Sequence, residues 1–142
     1  MDFSTLNWAA IAVVSVLGIL IGSVWFGPKT FYPIWWKLMN DKPMPGREAG
    51  GGGAMFAATI IALIAQVIGL AIAIQVVAKA YGAPLGALDG AHVGLFLGVM
   101  VGAASSLSHR MFARHGFKVW LIEVAPDVLF AVLAGVILAT WH

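Results

Sequence analysis

The sequence predicts an all-α integral membrane protein, a bundle of four transmembrane helices with a short interfacial aromatic helix after the first. Of its 142 residues, 61% are hydrophobic and only 10% are charged, whereas a soluble domain carries about a quarter charged residues. Apolar runs of the length that crosses a bilayer, about 20 residues, occur four times. Strands of a membrane barrel are about 10 residues long and alternate in polarity, so these runs are predicted to be helices.

The four apolar runs define one transmembrane domain over residues 1–142. We place the spans at about 6–26, 54–78, 88–107 and 119–141. No lysine or arginine precedes the first run, and no small-residue cleavage pattern follows it, so we expect it to be a retained span rather than a signal peptide. Residues 40–53, "NDKPMPGREAGGGG", are rich in glycine and proline, which predicts a flexible linker.

Composition also narrows the chemistry. The chain contains no cysteine, which excludes disulfides, thiol chemistry and Cys-ligated metal centres. The net charge of +2 lies in loops and gives no support for binding nucleic acid. The sequence carries no hydrolase elbow, HExxH motif, phosphate loop or EF-hand loop. We therefore predict a protein that is not an enzyme and has no resident metal.

The distribution of lysine and arginine predicts the orientation in the membrane. Seven of these eight residues fall in the first and third loops or at their edges, and only Lys79 lies on the other side: Lys29, Lys37, Lys42, Arg47, Arg110, Arg114 and Lys118. Because cytoplasmic loops are enriched in basic residues, loops one and three are predicted to be cytoplasmic. Both termini would then lie on the outer side.

The segment "VWFGPKTFYPIWWKLM", residues 24–39, is unusually aromatic. The Gly27-Pro28 pair is predicted to end the first span, because proline disfavours a helical residue before it. Residues 28–39 would then lie flat at the cytoplasmic surface, with rings buried and indole N–H groups in contact with water. The predicted anchor consists of Trp25, Phe26, Phe31, Tyr32, Trp35 and Trp36. An alternative is that these rings form a docking site for a lipid tail or a partner subunit.

Small residues recur every four positions in two of the spans. Span three carries Gly86, Gly90, Gly94, Gly98 and Gly102, continued by Ser106, and span four carries Glu123, Asp127, Ala131, Gly135 and Ala139. Such stripes let two helices approach closely, and van der Waals contact must hold helices together in lipid. The pattern predicts tight packing but leaves open whether the glycines of span three contact span one, span four or another copy.

Two carboxyl groups lie within span four. Asp127 is about 13 Å deeper than Lys118, where a carboxyl costs about 2.5–3.5 kcal/mol on insertion scales, and its place in the stripe predicts a packed position. Pro126 leaves the carbonyl of Ile122 without its helical donor. One interpretation is structural, with Glu123 paired to a loop cation and Asp127 hydrogen-bonded. The other is a proton or cation site formed by Asp127 and Glu123, with Gln66 lining the same cavity.

His92 lies near the outer end of span three, opposite the glycines. A membrane histidine can ligate the metal of a haem or a chlorophyll-type pigment. A single histidine is more typical of an interfacial residue bonded to water or backbone. We therefore predict no cofactor and keep tetrapyrrole binding through His92 as an alternative.

Two segments resemble one known family. They are "GSVWFGPKTFYPIWWKLM" and the final helix "VWLIEVAPDVLFAVLAGVILATW". The chain resembles, over nearly its whole length, the small bacterial membrane proteins catalogued as a domain of unknown function numbered seventeen sixty-one. The resemblance implies four spans and a bacterial inner-membrane setting, and it implies no activity. We expect many relatives to have a neutral polar residue and a histidine where Glu123 and Asp127 stand, so this pair would not carry a mechanism common to the family.

Three functions follow from these features. The first is a structural, accessory or self-assembling subunit whose partners are the bilayer and either further copies or a larger membrane complex, packed through the glycine and aromatic surfaces. The second is a small transporter or channel that uses Asp127 and Glu123. The third is a tetrapyrrole-binding accessory subunit of a respiratory or photosynthetic complex. The sequence favours the first, because it requires no catalytic group.

Overall fold

The computed structural model describes residues 5–39 and 52–141, and these residues form helices and turns with no strand. The elements are α1 (Trp8–Trp25), α2 (Tyr32–Met39), α3 (Gly53–Tyr81), α4 (Ala87–Phe96), a π-helical segment (Leu97–Ala103), α5 (Ala104–Phe112) and α6 (Phe117–Thr140). The predicted all-α class is confirmed. The predicted linker lies outside the described residues, except for Gly52 and Gly53, which form the start of α3.

Four helical stretches of the described chain are long and apolar enough to cross a membrane. They are α1, α3, the continuous stretch from α4 through the π-helical segment to α5, and α6, with mean hydropathies between 1.5 and 2.6. The chain is therefore a multi-pass membrane protein. The aromatic helix α2 begins at Tyr32, later than the predicted residue 28, because residues 26–31 form turns. Pro33 then lies in the first turn of α2, where a missing N–H costs nothing.

The helices alternate in direction, so their ends form two groups. We call the end that carries Lys29, Lys37, Arg110, Arg114 and Lys118 the basic end. At the opposite end, the Asn7 amide donates to the Trp141 carbonyl at 3.1 Å, while its oxygen caps α1 by accepting from the Ala10 N–H at 2.9 Å. The Gln75 amide donates to the Thr5 carbonyl at 2.8 Å. These bonds hold α1, α3 and α6 together away from the basic end.

The buried core joins α1, α3 and α6. Its members are Leu6, Ile11, Val14, Val67, Leu70, Ala71, Phe130 and Ala134. Near its edge, a Cβ on Gly18 would meet the Leu63 side chain at 2.7 Å and the Phe130 ring at 3.0 Å. A side chain at position 18 would therefore require Leu63 and Phe130 to move.

The part of α3 nearest the basic end lies away from this core. Every residue from 53 to 62 is exposed, and so are residues 64 to 66, whereas Leu63 is half-buried and Val67 is fully buried. Ten consecutive residues cover almost three helical turns, so the exposure includes all sides of the helix. The other helices therefore leave the first half of α3 uncovered.

Candidate functional sites in the bundle

The glycines of α4 pack against α6 of the same chain. A Cβ on Gly94 would overlap the Ala131 carbonyl oxygen and lie 2.7 Å from the carbonyl carbon. A Cβ on Gly90 would overlap the Gly135 carbonyl oxygen and lie 2.6 Å from the Ala139 Cβ. Gly135 is equally close to the Gly90 backbone. The two backbones therefore touch, a separation that only glycine permits.

The contact weakens along the chain and does not include the last predicted glycine. A Cβ on Gly98 would lie 3.2 Å from the Ala131 Cβ, and one on Gly102 would meet only the carbonyl oxygen of Leu97, in its own helix, at 3.8 Å. Gly102 is thus not a packing residue against α6. Residues 97–103 are π-helical, and the wider π turn changes which residues share a face. A spacing of four therefore stops marking one stripe beyond Gly98.

Glu123 is held by two other elements at the basic end. Arg110 of α5 places its Nε 2.6 Å from Oε2 of Glu123, and Trp35 of α2 donates its indole N–H to Oε1 at 2.9 Å. The glutamate side chain is only 16% exposed. Nη1 of Arg110 also lies 3.3 Å from Nδ1 of His115. Both carboxyl oxygens are therefore engaged, and Glu123 links α2, α5 and α6.

The carbonyl left free by Pro126 has a specific donor. The indole N–H of Trp25, the last residue of α1, donates to the Ile122 carbonyl at 3.0 Å. The Trp25 ring also stacks on Phe31, with centroids 4.3 Å apart. The proline in α6 thus creates an acceptor that fixes the end of α1 against α6, as unsatisfied carbonyls in a membrane require.

Four of the aromatic rings after α1, those of Phe26, Tyr32, Trp35 and Trp36, form one connected group. Trp35 packs edge-on against Phe26 at 6.1 Å between centroids, and it lies 5.9 Å from Tyr32 and 6.3 Å from Trp36. The expectation that the indole N–H groups remain in water is wrong for Trp25 and Trp35, which donate into their own chain. The group attaches α2 to α6 in addition to any contact with lipid.

Trp120 forms hydrogen bonds to the preceding spanning stretch that the sequence did not predict. Its indole N–H lies 3.2 Å from the Ala103 carbonyl and 3.1 Å from the Ser106 hydroxyl oxygen, where the π-helical segment returns to α-helix. A tryptophan in the first turn of a membrane helix is a usual signal of an interfacial ring. The acceptors could not be recognised from the sequence, because Ala103 and Ser106 lie in a different spanning stretch, 17 and 14 positions before Trp120.

Asp127 does not lie where its spacing predicted. It is exposed at the surface of the chain, and no described residue gives it a hydrogen bond or an ion pair. Ala131, Gly135 and Ala139 are buried against α4. Four residues exceed one helical turn by about 40°, so a stripe with this spacing drifts around the helix, and Asp127 has rotated out of the contact that Gly135 makes.

Gln66 and His92 are also exposed. No hydrogen bond joins Gln66 to Asp127, and Glu123 is already engaged, so the chain by itself does not assemble these three residues into one site. In the described part of the chain, no three His, Cys, Asp or Glu side chains come together as metal ligands would. Tetrapyrrole binding through His92 stays a prediction.

Four long apolar helices, a glycine-mediated contact and a basic end closed by tryptophan hydrogen bonds define a multi-pass, all-α membrane bundle. The chain belongs to the family described as "Protein of unknown function (DUF1761)", whose model matches residues 9–139. The resemblance drawn from the sequence is thereby confirmed. Searches among curated proteins and among solved structures found no match.

Proposed function

We propose that this protein is a non-enzymatic structural or accessory subunit of the bacterial inner membrane, which acts by packing against another membrane-spanning chain. The observation that carries the proposal is the uncovered first half of α3, where residues 53–62 are exposed on every side. A helix that its own bundle leaves free is available to a second bundle.

Exposure to lipid would account for the apolar part of this surface but not for its polar part. Lipid tails are as apolar as leucine and offer no hydrogen bonds. Gln66 and Asp127 are exposed within spanning helices, and small residues at Ala54, Ala58 and Ala62 repeat every four positions along the same uncovered stretch. Small residues and interhelical hydrogen bonds are the usual means of association between membrane helices.

The surface for assembly differs from the one that the sequence suggested. Gly90, Gly94 and Gly135 are already occupied in the contact between α4 and α6, and Trp25 and Trp35 bind α6. Assembly through these three glycines or through the indoles of Trp25 and Trp35 would therefore have to break contacts within the chain. Assembly through the exposed part of α3 and the neighbouring surface of α6 would leave the contacts within the chain intact.

The proposed orientation places the basic end in the cytoplasm and both termini outside. The positive-inside rule supports it, because Lys29, Lys37, Arg110, Arg114 and Lys118 share that end. With this orientation, the uncovered half of α3 lies in the cytoplasmic half of the bilayer.

Site-specific photo-cross-linking in native membranes tests the proposal. A photoreactive residue at Ile61, which is 67% exposed on α3, should yield adducts with a membrane protein, whereas the same residue at Leu20, which is 57% exposed on α1, should react mainly with lipid. Equal lipid labelling at both positions, with the chain migrating as a monomer, would contradict the proposal.

Among the described residues, none forms a hydrogen bond or an ion pair with Asp127, and this favours a second candidate, a small proton- or cation-coupled transporter or channel. A carboxyl that no described residue engages, deep within a span, can take up an ion or a proton if water reaches it. Glu123 would not take part, because Arg110 and Trp35 occupy both of its oxygens. Under this hypothesis, Asp127→Asn in proteoliposomes should lower flux at least about tenfold. Flux equal to that of the parent would eliminate Asp127 from any transport path.

A further inference from the structure

The turn between α5 and α6 extends further from the bundle than the end of α1. Two hydrogen bonds hold α1 beside α6, one at each end of the bundle. The Asn7 amide donates to the Trp141 carbonyl at 3.1 Å, and at the basic end the Trp25 indole donates to the Ile122 carbonyl at 3.0 Å. Helix α6 begins at Phe117, five residues before Ile122. Its first residue therefore lies about 8 Å beyond Trp25.

This distance places the turn among the lipid headgroups. Helix α1 has 18 residues and is about 27 Å long, close to the hydrocarbon thickness of about 30 Å. Its first and last residues, Trp8 and Trp25, are of the type that favours the two membrane surfaces. The headgroup region adds about 5–7 Å on each side. The residues between α5 and α6 are therefore at the level of the lipid phosphates.

The turn carries positive charge that the described chain leaves without a counter-ion. Arg114 and Lys118 are exposed, and no described residue forms an ion pair with either of them. The nearest acidic residue along the described chain, Glu123, is already paired with Arg110. The two exposed cations are therefore available to an anion from outside the chain.

Arg114 also has a backbone conformation that glycine usually supplies. Its φ is 59°, and no other residue of the described ranges except glycine has a positive φ. It follows Ala113, the C-cap of α5, and the His115 N–H bonds to the Arg110 carbonyl at 3.1 Å, a pattern in which glycine is the common residue. A side chain is unfavourable in this conformation, and the guanidinium forms no ion pair with a described residue in return. This combination indicates a function for the guanidinium outside the fold.

Two aromatic rings lie beside these cations. Phe112 is 91% exposed, the highest value among the large hydrophobic residues of the described chain, and Phe117 is 56% exposed. Exposed rings next to lysine and arginine are typical of segments that bind an anionic membrane surface, where the rings enter the boundary between headgroups and acyl chains. The turn therefore offers both an anion-binding part and an apolar part.

We propose that the α5–α6 turn binds an anionic phospholipid, with Arg114 and Lys118 on its phosphate oxygens and the Phe112 ring against its apolar part. A guanidinium can donate two parallel hydrogen bonds to one phosphate. The depth of the turn favours a lipid over an acidic protein, because the phosphates of the bilayer lie at this level. The proposal is independent of assembly through α3.

Replacing Arg114 by glycine separates binding from folding. Arg114→Gly removes the guanidinium and keeps the left-handed turn, so the variant should unfold in neutral detergent at a temperature no lower than that of the parent. Phosphatidylglycerol is titrated into the detergent-solubilised protein and followed by native mass spectrometry. Its affinity should fall about fivefold, because one cation at an anionic membrane surface contributes about 1 kcal/mol. An affinity equal to that of the parent would overturn the proposal.

Two control variants show whether the effect belongs to this turn. Arg114→Lys keeps the charge and should retain most of the affinity. Lys79→Gln removes an exposed cation from the last turn of α3, at the opposite end of the bundle, and should leave the affinity unchanged. Equal losses for Lys79→Gln and Arg114→Gly would indicate a general effect of net charge and would overturn the proposal.

Two further measurements test the choice of a lipid. Inorganic phosphate should not displace phosphatidylglycerol, because it lacks the apolar part that would contact Phe112. A photoreactive residue at position 112 should react mainly with lipid in native membranes. Full displacement by inorganic phosphate, or adducts mainly with a protein, would reject an anionic phospholipid as the occupant of this turn.

Discussion

Replacing Gly94 by alanine should destabilise the bundle, because the added methyl group has no space. Its Cβ would overlap the Ala131 carbonyl oxygen and lie 2.7 Å from the carbonyl carbon, where ordinary contact begins at 3.4 Å. The neighbouring atoms are backbone and cannot rotate away, so α4 and α6 must separate by at least about 0.7 Å. A gap of 0.5–1 Å forfeits about a quarter to a half of each atomic attraction across a contact.

Overpacking of this kind costs about 1–3 kcal/mol. The assay is thermal or denaturant unfolding in one detergent, with helical content and elution volume as readouts. Gly102→Ala is the matched control in the same spanning stretch, because its Cβ would meet only its own helix at 3.8 Å, and alanine there should be neutral or gain up to about 1 kcal/mol of helix propensity. Equal stability of the Gly94→Ala and Gly102→Ala variants would refute the reasoning.

Two further predictions concern the basic end. Trp25→Phe keeps an aromatic ring but removes the donor to a half-buried carbonyl of α6, so it should lower stability by about 1–3 kcal/mol. Trp8→Phe, at a residue that is 52% exposed, should change stability little, and equal effects of the two substitutions would argue against the hydrogen bond. Glu123→Gln and Arg110→Gln should each lower the stability of the bundle. A double-mutant cycle should give a coupling energy of about 0.5–1 kcal/mol, because the arginine side chain is 36% exposed and its charge is partly screened. Additive effects of the two substitutions would show that the ion pair contributes nothing.

The aromatic motif shows how far a local pattern reaches. Proline and aromatic residues after the first span predicted the end of a helix and a group of rings, and both are present. The partners of those rings could not be read from the sequence, since Ile122 is 97 positions from Trp25 and Glu123 is 88 positions from Trp35. The freed carbonyl before Pro126 was predictable, but its donor depended on how α1 and α6 pack.

The carboxyl pair shows where periodicity fails. Glu123 and Asp127 belong to one four-residue pattern, yet Glu123 is engaged by two residues while Asp127 is exposed. Residues four positions apart on a helix differ in direction by about 40°. The sequence does not state which residue of such a series faces the neighbouring helix. The spacing also could not exclude Gly102 from the contact with α6, because the π-helical turn at residues 97–103 changes which residues share a face.

The sequence alone determined that this chain is an all-α, multi-pass membrane protein and to which family it belongs, because hydrophobic length and local motifs are properties of single segments. The tertiary structure decided which helix receives the glycines of α4, that Trp25 and Trp35 bind α6, and that half of α3 and Asp127 remain uncovered. These features depend on the rotation and tilt of each helix relative to its neighbours. Rotation and tilt are set by contacts between distant residues, which no single segment of the chain contains.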